Sequence, residues 1–532
     1  MSVPGSRFRR SALTFAAGSA GPLSATAVGF VATPILLRSI GGERFGMVRA
    51  ASDWFGYVGL LEFGVGGALQ AVFARAAGTE DATAVVAGVR AGARAYVRLA
   101  TLMLATSVAL AAAMPWLIRA PEELRREVYL GCAVFAAGYL LVPLAVFRPL
   151  AESEQRGYLV HVLNSAQLIT VTVASVAAGV AGWGLPGQFL ALVAGSALFH
   201  LTLAWDGLRR HPEVLEAPSG RSPRLWSLSW PNLVFNLTGR LGVYTDNIIM
   251  TAFLGPAAVT SFVLTQRLIQ AAATQTMAIG GAGWAGLMDL YYKGEREAFA
   301  RRLVQMTRLT SIVGAATLLP LALRNGDLIG IWVGAGRYAG AAVTWLAAFD
   351  AWGLAIVALW GWPMNTSGRV RILLPTQLAA AGVNLAVSLG ATAMWGAPGP
   401  LLGTAVAVVG VSWWRLLEHL RREFGIQPRL LARAALKPLL VAAPYGICLS
   451  LLPGLDGSAF SGWRGWTAWA AMAGWLSAAA AGYVVLAAAF AVPADDRREW
   501  IGRLRLGRSV RGPIPATPSS NRMAQFNGEA AR

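Results

Sequence analysis

About fourteen long apolar stretches run through this chain, and the charges sit in the gaps between them, strongly basic gaps taking turns with weakly charged ones. A run of about 18 or more apolar residues crosses ~30 Å of hydrocarbon as a helix. Alternating basic loops fix which side of a bilayer each loop faces. The chain is only 13% charged and 56% apolar, with a mean hydropathy of +0.53, whereas soluble domains average about 25% charged. The pattern predicts an all-α, multi-pass membrane protein of about 14 transmembrane helices.

The first six spans, from Ala12–Leu37 and Met47–Phe73 to Phe189–Trp205, predict a first lobe over 1–205. A polar linker follows over 206–230. Six further spans, from Pro231–Phe253 and Val259–Ala285 to Pro400–Trp414, predict a second lobe over 231–422. Two more fill 423–496, and a basic tail poor in apolar residues, 497–532, is expected to be disordered. Leu309–Leu323 and Pro400–Trp414 are short and are expected to borrow flanking residues. Arg7, Arg9 and Arg10 precede an apolar stretch from Ser11 to Leu37, longer than the 7–15 residues of a signal core, which predicts a retained first span.

Of the 45 Lys and Arg, 34 fall in one set of loops and nine in the other, leaving Arg240 and Arg267 inside spans. The asymmetry predicts that both termini face the cytoplasm of a bacterial inner membrane. It also explains the net charge of +19 without nucleic acid, because no basic stripe is interleaved with aromatics. Cys132 and Cys448 stand alone, without the spacing of a zinc site or disulfide framework. Gly281-Ala282-Gly283-Trp284-Ala285-Gly286 matches a dinucleotide fingerprint literally but lies inside an apolar span. Four scattered histidines give no metal-ligand spacing, and no nucleophile–base constellation is arguable. Neither enzyme chemistry, a metal nor a resident cofactor is expected.

Two turns repeat. Ile40-Gly41-Gly42-Glu43-Arg44-Phe45-Gly46 joins the first two spans, and Leu254-Gly255-Pro256 joins the seventh and eighth. With Glu62-Phe63-Gly64-Val65-Gly66, Ala74-Arg75, Asp246-Asn247-Ile248-Ile249, Gly368-Arg369 and Asn384, these turns carry a resemblance. Over the twelve spans to about Arg422 the chain resembles the polysaccharide biosynthesis, O-antigen-type flippases of the multidrug/oligosaccharidyl-lipid/polysaccharide (MOP) exporter superfamily. Glu62 stands where an Asp is usual, and Thr260 where Gly is usual. The last two spans resemble the fourteen-helix branch that includes lipid II flippases. The resemblance implies translocation of an undecaprenyl-pyrophosphate-linked oligosaccharide, coupling to a proton or sodium gradient, and partnership with a polysaccharide polymerase or chain-length machinery. The runner-up is a multidrug cation antiporter of the same superfamily. A membrane glycosyltransferase or polymerase would need a large outer loop, and the longest here are about 10–20 residues.

Ionisable groups at membrane depth cost about 2.5–3.5 kcal/mol on insertion scales, so each marks a candidate site. In the seventh span Asn232, Asn236, Arg240, Tyr244, Asn247 and Thr251 share one sector at 100° per residue, with Asp246 at its edge. Arg240 either faces a water-filled cavity or pairs with Asp246. In the eighth, Gln266, Arg267, Gln270 and Thr274 form a similar face. Arginines ringed by amides suit a phosphate, which the guanidinium fork binds bidentately. Arg49 and Asp53, at i,i+4, can pair on one face. Glu62, about 180° round the helix from Asp53, either takes up a proton or contacts a neighbouring backbone; of the candidate coupling acids Glu62, Asp53 and Asp246, it is the one chosen, because it has no Arg within helical reach. Pro22, Thr26, Gly29 and Thr33 form a seam of small residues suited to close helix packing.

Overall fold

The computed structural model describes residues 4–79, 81–216, 245–367, 370–451 and 465–498. Among these the chain is a succession of helices joined by short turns, with no strand. Helix α1, Pro4–Val58, is a single helical run broken only at Gly41, whose φ of 81° lies outside the helical region. The first predicted span and the first part of the second belong to it, as two limbs. The second limb tightens into a 3₁₀ turn at Gly59–Glu62. It then bends by 45° into α2, Val65–Thr79, with Phe63 and Gly64 both left-handed.

α3, Ala82–Leu117, starts at Asp81, whose carboxylate accepts the Ala84 amide at 3.0 Å. At 1.5 Å per residue its 36 residues span about 54 Å, well beyond ~30 Å of hydrocarbon. Its first turns, carrying Arg90, Arg94 and Arg98, therefore project past the apolar zone. α4 (Glu122–Ser153), α5 (Gly157–Val180) and α6 (Gly184–Arg210) complete the first half. The second half holds α7 (Pro256–Tyr292), α8 (Arg296–Val333), α9 (Ala341–Thr366), α10 (Val370–Trp395) and α11 (Gly399–Phe424). α12 (Pro428–Leu451) and α13 (Trp466–Phe490) pack on α8.

Ten helices among the described residues are long and apolar enough to cross a membrane, eleven with the bent α1–α2 pair counted as one span. The protein is a multi-pass membrane protein. The two spans expected to be short are complete helices, Arg296–Val333 and Gly399–Phe424, because their ends are basic and polar turns that hydropathy discounts. Most of the seventh predicted span, the linker after 216 and the tail from 499 lie outside the described residues. α11 contains a π-helical stretch, Val408–Trp413, and helices 8, 9, 10 and 12 contain proline. Such interruptions persist in membrane helices where neighbours satisfy the freed backbone groups.

Each half has its own core. In the first, Met47, Ala51 and Phe55 pack on Phe189 and Cys132, while Leu69, Phe73 and Tyr96 form a second cluster. In the second, Trp352, Trp360 and Trp413 lie against one another. The Trp352 and Trp360 indoles donate to Ser311 (3.0 Å) and Thr307 (3.1 Å), which satisfies the polar end of a buried aromatic. On α12 and α13, the Tyr483 hydroxyl donates to the Pro438 carbonyl and Tyr445 to Ala479.

The halves meet at the end of the bundle that carries the Gly41 turn. There Phe30 stacks on Trp332 at 4.4 Å and 5°, and the Trp332 indole donates to the Phe30 carbonyl at 2.8 Å. Trp469 of α13 closes edge-on against the same ring. A Cβ on Gly46 would lie 1.9 Å from the Pro256 carbonyl oxygen, and one on Gly42 would run into the Arg337 guanidinium. The Thr260 hydroxyl donates to the Gly42 carbonyl, which is what this departure from the usual Gly accomplishes. Arg44, in the same turn, is gripped by Glu127 through bonds of 2.7 and 3.0 Å, and Glu127 also accepts the Leu185 amide.

Candidate functional site: two arginines in one cavity and a set of neighbouring acids

Below that seam the halves stay in contact along the second limb of α1. The Asp53 carboxylate accepts from the Asn247 amide at 2.6 Å, and the Tyr57 and Thr245 hydroxyls share a hydrogen bond of 2.6 Å. The i,i+4 spacing predicted an Arg49–Asp53 pair; the two stay within Coulombic range, but no salt bridge joins them, and the Asp53 carboxylate is hydrogen-bonded to a residue of the other half. A side chain that reaches across an interface is fixed by packing that sequence spacing does not encode.

Arg49 instead points into a cavity of about 180 Å³ walled by α1, α5, α6 and α7. Arg267 of α7 enters the same cavity from the second half. Ser52, Thr33, Thr172 and Ser175 supply hydroxyls to its wall, and no acidic side chain lines it. Gln188 donates to the Ser175 carbonyl at 2.9 Å. Among the described residues neither Arg49 nor Arg267 makes a hydrogen bond or an ion pair. Two like charges confined in a site of low dielectric repel strongly, and both forks keep every donor free. An anion with several oxygens is the chemistry that suits them.

The other predicted residues divide. Gln266 is buried, at 3.4 Å from the Phe262 carbonyl, and Gln270 is exposed. Neither lines this cavity. Asn247 is engaged by Asp53. Arg240 and Asn236 lie outside the described residues. Glu62, in the 3₁₀ turn before the bend, accepts the Tyr96 hydroxyl at 2.8 Å. Asp246 has a buried carboxylate oxygen without a partner.

Sequence reasoning missed Asp350. It lies in mid-α9, is 4% exposed, and neither of its carboxylate oxygens has a partner. Asp246 is within Coulombic range of Asp53 on one side and of Asp350 on the other. The signal was present: a lone acid nine residues into the apolar run starting at Ala341. A larger cavity of about 440 Å³ lies between α9, α10 and α11, with Gln377, Asn384, Thr404 and Ser412 on its wall and no charged group. The charges sit in the smaller cavity, and the site is placed there.

The architecture can be compared with solved structures. A lipid II flippase, MurJ, in an inward closed conformation superposes with a TM-score of 0.67 at 10% identity, covering 91% of this chain and 99% of the flippase. The fold is that of the MurJ and MATE transporters. A multidrug resistance MATE family transporter of the MOP superfamily, inward-facing, matches with a TM-score of 0.54 at 16% identity, over 74% of this chain and 94% of that one. A eukaryotic MATE transporter matches at 0.55 and 14%, over 81% and 99%. No protein-family model and no curated protein sequence matches the chain.

Proposed function

We propose that the protein is a flippase that moves a polyprenyl-pyrophosphate-linked oligosaccharide across the bacterial inner membrane for surface polysaccharide assembly. The observation that carries this reading is the pair of unpartnered arginines, Arg49 and Arg267, in one cavity between the halves. The pyrophosphate sits between the two guanidinium forks, the hydroxyls on the cavity wall meet sugar, and the undecaprenyl tail stays in lipid. The halves are sealed at the Gly41 end, which the charge asymmetry assigns to the periplasm. Loading is therefore from the cytoplasmic side, and release follows rocking of one half against the other about the fixed site. A lipid II-type cargo fits the same chemistry. A cationic drug does not, because both free charges in the cavity are positive.

Coupling to a cation gradient belongs to the same proposal. An ionised carboxylate without a donor costs several kcal/mol in an apolar interior, so Asp350 holds a proton or faces a cation. It is a better coupling group than Glu62, which has Tyr96 as a donor. The test is transport in proteoliposomes with an undecaprenyl-pyrophosphate-linked glycan under an imposed pH or sodium gradient. Arg49→Ala and Arg267→Ala are expected to lose transport at normal protein levels, and Lys at either position to restore only part, since an ammonium lacks the bidentate fork. Asp350→Asn is expected to transport without gradient dependence. Normal transport by both Ala variants would refute the anion site. Unchanged gradient dependence in Asp350→Asn would refute the coupling role.

A further inference from the structure

Arg267 belongs to the second half, yet its guanidinium ends against the first. The place where it ends is Gly29, buried on the first limb of α1. A Cβ built on Gly29 would meet a single atom within 4 Å, an Arg267 terminal nitrogen at 3.0 Å. Among the described residues, the place of a Cβ at position 29 is thus met by the arginine alone. The Gly29 carbonyl does not hold it there, because that oxygen accepts the Thr33 hydroxyl at 2.6 Å. Arg49, lining the same cavity, pushes Arg267 away as a like charge. What remains to place Arg267 is the bare backbone of helix 1.

We propose that Gly29 is a positioning residue for the anion site. Its missing side chain lets Arg267 cross from α7 and share one cavity with Arg49, without a hydrogen bond that would use up the guanidinium donors. The site is then composite: Arg49 and the shelf come from one half, and Arg267 from the other. It is whole only while α1 and α7 are packed, as they are with the Gly41 end sealed. Separation of the two helices takes the site apart, and the affinity for the anion falls on the side where the cargo leaves. This inference rests on the flippase reading, since it takes Arg267 to be an anion ligand.

The experiment measures binding of undecaprenyl pyrophosphate to the purified full-length protein in nanodiscs. Gly29→Ala places a methyl at the margin of contact and is expected to weaken binding a few-fold. Gly29→Leu is expected to weaken it tenfold or more, with an unchanged melting temperature and a raised KM for transport at near-normal kcat. In an Arg267→Ala background, Gly29→Leu is expected to have no further effect on binding, because the group it displaces is gone; additivity is lost when two residues act through one contact. Equal losses from Gly29→Leu with and without Arg267 would show general disruption of α1 and overturn the positioning role. So would normal binding by Gly29→Leu. If Gly29→Leu does not fold, the same cycle run with Gly29→Ala decides. Normal binding by Arg267→Ala alone would instead overturn the anion site, a result distinct from either.

Discussion

The seam at the Gly41 turn and the cavity below it both lie where α1 meets α7, and they treat charge in opposite ways. At the seam Arg44 is held bidentately by Glu127, the Thr260 hydroxyl is spent on the Gly42 carbonyl, and aromatic rings fill the remaining space. Within a few helical turns, Arg49 and Arg267 share a cavity that no acidic side chain among the described residues lines, and in the second half Asp350 is buried without a donor. A surface that only has to seal is satisfied within the protein. A surface that leaves charges unsatisfied is arranged for something that arrives from outside.

The sharpest way to break this contrast is to spoil the seam and leave the cavity alone. Gly46→Leu would drive a side chain into the Pro256 backbone, where even a Cβ would lie at 1.9 Å, and neither side can yield cheaply. Transport is expected to be abolished, and a cysteine probe at Thr260 to become accessible from the sealed end. Retained transport in that variant would mean that the seam is not a gate. Trp332→Ala should act less severely. It removes a ring 7% exposed, its stacking on Phe30 and its bond to the Phe30 carbonyl, at a cost of about 3–5 kcal/mol for a buried Trp→Ala change. A melting temperature several degrees lower, with a larger population open at the Gly41 end, is the expected result. The smallest effect belongs to Arg44→Gln. Its pair with Glu127 is about one-third exposed on both sides, and exposed pairs contribute about 0.2–1 kcal/mol. Thermal melting should shift by no more than a degree or two, and transport should persist.

The multi-pass helical fold was legible because hydropathy and loop charge act over whole segments, so errors at span ends cancel. The Gly42 and Gly46 turn was legible as a motif, and its meaning appears only when Pro256 and Arg337 are seen occupying the places of the missing side chains. Arg267 was legible because a guanidinium inside an apolar run is conspicuous anywhere, and Arg49 because of its i,i+4 spacing to Asp53 at the start of the second span. The partner of Asp53 was not, because Asn247 lies 194 positions away while Arg49 lies one turn away. A helical wheel put Gln266 and Gln270 in one sector with Arg267, but of the three only Arg267 lines the cavity, since a wheel reports a sector of one helix and not the width of the cavity that helix meets. Asp350 escaped attention because the acids were sought in the helices with arginine, while it stands alone in α9.

Equilibrium binding decides whether Arg49 and Arg267 form one anion site. Undecaprenyl pyrophosphate and undecaprenol should be titrated into the wild-type protein and the Arg49→Ala, Arg267→Ala and doubly substituted variants in nanodiscs of uncharged lipid. With one such site, the wild type prefers the pyrophosphate lipid strongly, either substitution removes most of that preference, and the double variant is hardly worse than either single one. Equal affinity of the wild type for both lipids, or an undiminished preference in the double variant, would contradict a shared site.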